Sequence, residues 1–595
     1  MRVLLSTLNA KYIHTSLALR YLTASIKDEP GIEAIRSEFT INTPLEEVLG
    51  ELYIKQPDVV AFSCYIWNTD SILQLVKSLK KVAPNIVFIL GGPEVSYDTE
   101  KIMAENPEVD FIIKGEGEQA FSQLIKLLQE QKDKGQALPL DQSIEGVVSR
   151  QSQAAGENIK STIYNIINEL DEIASPYQGD LGEFKEKIAY LESARGCPYS
   201  CCYCLSGSSK GVRYFSEERI RLELVKLLNA QVKQVKFVDR TFNINKKHAM
   251  GIWRFILAEY ERRRGFKTNF HFEISADLLD EEMLIFLAQV PIGLFQFEIG
   301  VQSTNEKTLA AINRLSNWRK LANHVANIRE ANNIHLHLDL IAGLPFEDMA
   351  SFKQSFNDVM NLRPHRLQLG FLKLLKGTAI RTEADLYQYE YTSYAPYQVL
   401  QNKFMPFHQL LFLKQIEELL DKIYNSHLFY YTLDFIMNYW SDKFSFFGEL
   451  LSFCQEERVS IKEIKHKDFF LLIIKFCTCS AAIDETELVR ELLKLDLLRQ
   501  QRLTQLPAWA SQRKIPNFLE RAYNLLNDPE AQNNIFPDND PADFPRLMKQ
   551  IHIEEFSGEI AQLLFKDVSK KYILFYYGSE HNPIIGGARF FPVQL

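Results

Sequence analysis

Four of the chain's eight cysteines fall within eight positions, at Cys197, Cys201, Cys202 and Cys204, in a chain of 595 residues. Cys197, Cys201 and Cys204 have the spacing Cys-x3-Cys-x2-Cys. Three thiolates on one short loop can hold three irons of a cubane [4Fe–4S] cluster and leave the fourth iron open to a ligand, whereas electron-transfer clusters usually take four thiolates. Zinc favours two separated pairs or histidine partners, and neither is near this stretch. Disulfides need an oxidising compartment, and sparse, clustered cysteine suits a reducing cytoplasm better. Cys202 lies outside the spacing and reads as an incidental loop thiol. Cys477 and Cys479 form Cys-x-Cys in an apolar stretch without a second pair, and read as core.

The loop follows the first of six short strands, expected at 188–193, 234–239, 269–275, 294–301, 334–341 and 366–372. Helical stretches at 216–230, 246–263, 279–288, 304–331 and 348–361 separate them. That alternation predicts a partial α/β barrel. Several of these strands carry polar residues in alternation: Gln296, Glu298 and Gln302; His335, His337 and Asp339; Glu273, Ser275 and Asp277; Arg366 and Gln368. If the apolar set packs on the helices, the polar set faces the barrel interior, where it needs polar partners.

Before the barrel, aliphatic runs Val3–Leu5, Val59–Ser63, Ile86–Leu90 and Phe111–Ile113 alternate with helical stretches such as Ser71–Val82. They predict an open, doubly wound Rossmann-like sheet with ligands at the strand C-terminal ends. Residues 129–145 and 151–160 are polar and read as linker, with one possible strand at Ile144–Ser149. Residues 401–460 hold nine Phe, four Tyr and one Trp, and Leu413, Ile416, Leu419, Leu420 and Ile423 form a helical stripe, so the last third reads as mainly helical. A closing hairpin is expected from Gly558–Val568 and Tyr572–Tyr577. The domain expectation is therefore 1–130, a linker 131–185, 186–395 and 396–595. The net charge of −9 argues against generic nucleic-acid binding. No apolar run reaches membrane-spanning length and the N-terminus reads as a strand, so a cytoplasmic protein without a membrane partner is expected.

Cys197-x3-Cys201-x2-Cys204, with Tyr203 before the last cysteine, resembles the signature of radical S-adenosylmethionine (radical SAM) enzymes. The resemblance implies a [4Fe–4S] cluster whose open iron chelates S-adenosylmethionine, and reductive cleavage to a 5′-deoxyadenosyl radical. Ile341-Ala-Gly-Leu-Pro-Phe-Glu347 is similar to the family's fifth-strand segment, which makes Ile341 and Gly343 adenine-side candidates. Phe295–Ser303 is similar to the fourth-strand segment, which makes Glu298 and Gln302 candidates for ribose and methionine. The family's Gly-Gly-Glu after strand two is replaced by Val238-Asp-Arg-Thr-Phe242, so Asp239 is the candidate there. His335 and His337 are candidate acids or satisfied inward histidines.

The first domain resembles cobalamin-binding domains: Ser63, Gly91, Gly92 and Gly115 end its strands where that fold admits the nucleotide tail. The Asp-x-His-x-x-Gly loop with its axial histidine is absent, and Leu8–His14 fills the place; His14 reads as a helix-start or surface residue. Leu170–Tyr177 is similar to the linker into the barrel. Together these features imply a cobalamin-dependent radical SAM enzyme with a small-molecule substrate and a flavodoxin- or ferredoxin-type electron donor, C-methylation being the commonest assignment. A corrinoid-free radical enzyme, a tRNA methylthiotransferase (only Cys64 lies early) and a cobalamin-binding regulator remain as alternatives.

Overall fold

The computed structural model describes residues 1–136, 144–150, 159–160, 164–208, 211–480, 483–510, 515–529, 535 and 544–595. Its first sheet contains β1 (Arg2–Asn9), β2 (Glu33–Thr40), β3 (Val59–Ser63), β4 (Val87–Gly91), β5 (Phe111–Ile113), β6 (Val147–Arg150) and β7 (Ile159–Lys160). The order is β2-β1-β3-β4-β5-β6-β7, parallel through β5 and antiparallel beyond it. Buried on both faces, the aliphatic runs make separate cores on the two sides of the sheet. β2 escaped the sequence reading because it is an edge strand, half-exposed along its length and without an aliphatic run.

The segment expected as linker is structural in two ways. Val147–Arg150 and Ile159–Lys160 extend the first sheet, while Ile167, Leu170, Ile173, Tyr177 and Phe184 join the barrel's core. Residues 137–143 and 151–158 of the polar stretches lie outside the described residues.

Six parallel strands form the partial barrel: β8 (Ile188–Leu191), β11 (Gln234–Phe237), β12 (Asn269–Ile274), β13 (Phe295–Gln302), β14 (His335–Ala342) and β15 (Arg366–Phe371), paired in that order. Between β8 and β11, β9 (Ala194–Gly196) and β10 (Val212–Tyr214) form an antiparallel pair. On β13, Phe295, Phe297, Ile299 and Val301 are buried against the helices, and the intervening polar residues are less buried. Trp253, on the helix Lys246–Arg262, anchors that side, 5.7 Å from Phe297 and 6.3 Å from Phe295. The expected helix 304–331 is two helices, Glu306–Ala311 and Trp318–Ala331, with Asn313 at positive φ between them.

The last third is mainly helical. The helix Phe407–Ile423 buries the predicted stripe, and its core is continuous with that of the barrel. A small pair, β16 (Glu390–Tyr391) and β17 (Val399–Gln401), lies between them. The closing sheet is β18 (Ile551–Glu555), β19 (Tyr572–His581) and β20 (Ala588–Val593), antiparallel in that order. Most of the expected hairpin partner Gly558–Val568 is instead a helix, Gly558–Phe565, started by the Ser557 side chain accepting from Ile560 N. Among the described residues, no helix is long and apolar enough to cross a membrane.

Candidate active site

The β9–β10 pair clamps both ends of the segment that carries the cysteines. Gly196, at φ +100, lies so close to the Gly211 carbonyl oxygen that any Cβ would overlap it. Within the loop Cys204 N donates to Cys201 O (3.1 Å), and Cys202 N donates to Ile312 O (3.0 Å), which fastens the loop to the end of the helix 306–311. Cys201 is buried, Cys197 and Cys204 are half-buried, and all three thiols are free. They are the donor set a three-thiolate cluster needs. Cys202 turns away towards Ala311 O.

Arg314, which a lone arginine between two helices does not signal in sequence, is half-buried beside this loop. Burial raises the Cys201 thiol pKa, and hydrogen bonding to the Arg314 guanidinium opposes the rise. The same guanidinium faces Tyr203, and Arg314 Nη2 donates to Gly300 O where β13 and β14 shift register. Gln302, at φ +69, folds over Gly300, and its buried Oε1 has no partner. An unmet buried acceptor and a half-buried cation at the barrel mouth suit a polar ligand with a carboxylate and amino group.

The other candidates are distributed differently. Gly343, at φ +89, has its carbonyl held by Tyr389 Oη (3.0 Å) and Asn402 Nδ2 (2.8 Å), so the last third shapes this segment. Ile341, half-buried and two residues earlier, packs against the barrel core. Glu298 is deeper in the lumen, bound to Lys236 Nζ (3.0 Å) and His271 Nε2 (2.9 Å). Asp239 is turned inward: Oδ1 accepts from Ser193 Oγ (2.6 Å), Oδ2 accepts from Ser193 N (3.0 Å), and His248 Nε2 is 2.9 Å from that hydroxyl. Burial pushes the Asp239 pKa up to about 7. It fastens the end of β8, and Arg240 takes the place at the mouth.

In the first domain, Ser63, Gly91, Gly92 and Gly115 line one cavity of about 260 Å³ at the strand C-terminal ends. Its other walls come from Leu19 and Leu22 of the helix Leu17–Ile26 and Phe121 of the helix Glu118–Asp133. Gly92 is at φ +111, and a Cβ there would overlap the Cys64 carbonyl oxygen; one at Gly115 would be 2.5 Å from Asn165 O. This side-chain-free floor is what a bulky tail beside the sheet requires.

A second cavity, of about 500 Å³, lies between the first domain and the barrel mouth, and Ala18, Tyr65 and Glu118 line both cavities. Tyr65 stacks on Trp67 at 4.6 Å on one wall; Tyr190, Glu192, Arg195 and Arg240 form the other. His14 is not a surface residue here: it lines the chamber, with Nδ1 2.6 Å from Tyr190 Oη. The loop after β1 also covers the edge of β8, through Ile188 N to Ile13 O (2.8 Å) and Thr15 Oγ1 to Ile188 O (2.9 Å).

Arg195, two residues before Cys197, bridges the two halves. It contacts Glu118 (2.5 Å), Glu192 (2.9 Å) and Glu116 (3.7 Å), and Arg213 binds Glu116 as well (2.5 Å). Burial would lower the Arg195 pKa, but these carboxylates outweigh it and hold the guanidinium above its ordinary value. A third bridge joins Glu94 to Lys376 Nζ (2.8 Å) and Tyr397 Oη (2.5 Å).

Family models match this arrangement segment by segment: a B12 binding domain over residues 3–125, the Radical SAM superfamily over 191–359, and a protein family of unknown function, DUF4080, over 385–575. The chain thus joins a segment that matches the Radical SAM superfamily to one that matches a B12 binding domain. Among curated proteins it is 30% identical over 361 residues to the cobalamin-dependent radical SAM methyltransferase TokK of Streptomyces tokunonensis, covering 56% of this chain and 50% of that protein. It is 28% identical over 334 residues to the 2-(S-pantetheinyl)-carbapenam-3-carboxylate methyltransferase of Streptantibioticus cattleyicolor, covering 52% and 46%. The chain thus matches about half the length of these relatives. The structure of the cobalamin-dependent S-adenosylmethionine radical enzyme OxsB with aqua-cobalamin bound superposes with a TM-score of 0.58 at 15% identity, over 84% of this chain and 80% of that one. The three free thiols, the unmet Gln302 acceptor and the glycine-floored slot fit a [4Fe–4S] cluster, S-adenosylmethionine and cobalamin respectively.

Proposed function

We propose that this protein is a cobalamin-dependent radical SAM methyltransferase acting at carbon on a small molecule held between its first domain and its barrel. The observation that carries the reading is the pair of adjoining cavities: the glycine-floored slot shares Tyr65 and Glu118 with a chamber that ends on Glu192, Arg195 and Arg240 beside the cysteine loop. When bound, the cluster and S-adenosylmethionine supply a hydrogen-abstracting radical, and cobalamin supplies the methyl group.

The protein's own residues do the positioning. Cys197, Cys201 and Cys204 hold the cluster, and Tyr203 and Arg314 pack behind it. Gln302, Ile341 and Gly343 shape the S-adenosylmethionine site at the ends of β13 and β14, and Ser63, Gly91, Gly92 and Gly115 receive the corrinoid tail. The chamber is of the size of small-molecule sites, and its stacked Tyr65–Trp67 wall offers an apolar face opposite the Arg240 guanidinium. A one-electron donor of the flavodoxin or ferredoxin class completes the requirement.

The test is anaerobic reconstitution with iron, sulfide and cobalamin, followed by product analysis with cell extract as the substrate source. 5′-Deoxyadenosine together with S-adenosylhomocysteine supports methyl transfer. 5′-Deoxyadenosine alone points to another radical outcome, and neither product contradicts the reading.

A further inference from the structure

Below the mouth, the barrel lumen carries a charged layer that the proposed chemistry does not use. Lys236 on β11, His271 and Glu273 on β12, Glu298 on β13, and His337 and Asp339 on β14 occupy it. Lys236 Nζ is 3.0 Å from Glu298 and 3.8 Å from Glu273, so one ammonium is shared by two carboxylates, and Asp339 beside them has only His337 in contact among the described residues. Arg240 also acts on Glu273, which leaves Asp339 as the enclosed carboxylate without a Lys or Arg in contact among the described residues, a costly arrangement without a further positive charge.

The geometry within the layer is specific. Glu298 and His337 are direct partners across the parallel β13–β14 pair, and Asp339 pairs with Gly300 one side-chain layer higher. His337 is 6% exposed. Its Nε2 is 3.0 Å from Asp339 Oδ1, yet neither atom makes an aligned hydrogen bond. Two such atoms in contact but not bonded to each other are expected where both aim at a common third centre. The donor atoms of Glu298, His337 and Asp339 all lie within 4.8 Å of one another. An ion about 2.1 Å from each of three donors needs donor separations of roughly 3–4 Å, so small side-chain rotations close the site.

We propose that Glu298, His337 and Asp339 bind a divalent metal ion inside the barrel, separate from the cysteine loop. One imidazole and two carboxylates, without sulfur, form a set for manganese, ferrous iron or zinc rather than for cuprous copper. The ion balances the excess carboxylate charge and ties β13 to β14 beneath Gly300 and Gln302, where the strands shift register. This inference does not depend on the methyl-transfer reading.

The probe is Co(II), titrated into the full-length chain in which Cys197, Cys201 and Cys204 are all replaced by Ala, so that no cluster iron interferes. One Co(II) per chain is expected, displaced by Zn(II) and without a sulfur-to-cobalt charge-transfer band, with affinity falling about tenfold or more in added Asp339→Asn or His337→Gln. Elemental analysis of the cluster-loaded wild-type chain should find one manganese, zinc or further iron per chain beyond the cluster's own. The absence of saturable Co(II) binding overturns the proposal, whether or not the variants fold. So does a sulfur band, or an affinity unchanged in both variants.

Discussion

Replacing Arg195 with Met removes the cation that links the start of the cysteine loop to Glu118 at the rim of the glycine-floored slot. Its partners Glu116, Glu118 and Glu192 have side chains only 10–19% exposed, so the substitution leaves buried carboxylates short of a counter-charge. Breaking a buried pair from one side costs about 3–5 kcal/mol. Arg213 still holds Glu116, which places the loss at the lower end of that range. Arg254→Met, which breaks an exposed pair with Glu282, should cost less than about 1 kcal/mol. The cost also depends on pH. Burial already raises the Glu192 pKa, and Arg195 opposes the rise; without the guanidinium that carboxyl is raised further. A carboxyl raised in the folded state favours folding below its unfolded pKa, and that contribution is lost as pH rises through the folded value. Arg195→Met should therefore be mild at pH 5.5 and severe at pH 8. Adding Glu118→Gln should recover part of the loss, because the two residues act on one network. Urea melts across this range, with iron and cobalamin content measured on each variant, test the argument. A loss no larger than that of Arg254→Met, or one independent of pH, refutes it.

Gly92→Ala should cost about 2–4 kcal/mol from positive φ plus backbone overlap and release cobalamin, while Gly50→Ala, in a helix with open space, should gain up to about 1 kcal/mol; thermal melts and bound-corrinoid absorbance separate them. Cys201→Ala should remove the cluster's iron and all 5′-deoxyadenosine, as read by iron analysis and chromatography. Asp239, raised to about 7 by burial, makes wild-type stability fall as pH rises from about 4 to 7, and Asp239→Asn should flatten that fall in melting temperature against pH. Lys376→Met leaves buried Glu94 with only Tyr397 and should cost about 1–3 kcal/mol in melting experiments without changing iron content.

The parts legible in the sequence were those with a strong local signal. The cysteine spacing, the aliphatic strands of a sheet buried on both faces, and the alternating polar face of Phe295–Gln302 each follow from a short pattern. Edge strand β2 was not legible in the same way, because it is half-exposed and its pairing is set by a neighbour distant in sequence, whereas β6 falls on the strand expected at Ile144–Ser149. Gly558–Phe565 was misread as a strand because eight residues with few polar positions fit either period; Ser557 as N-cap is what decides for a helix. At the site, the glycine positions were readable because positive φ and close approach demand glycine. Arg195, Arg240 and Arg314 were not, since an isolated arginine says nothing until the fold brings its carboxylates or thiols to it. Asp239 was expected at the mouth and instead fastens Ser193, a pairing made by two strand ends.

The glycine-floored slot shares Tyr65 and Glu118 with a chamber whose far wall includes Arg195, two residues before Cys197, so a corrinoid in the slot and a cluster on the loop would sit close together. Electron paramagnetic resonance of the full-length protein, loaded with one cob(II)alamin and one reduced cluster per chain, tests it most directly. The cob(II)alamin signal should be broadened by the neighbouring cluster spin and should sharpen in Cys201→Ala. An unbroadened signal in protein fully loaded with both cofactors would contradict the account.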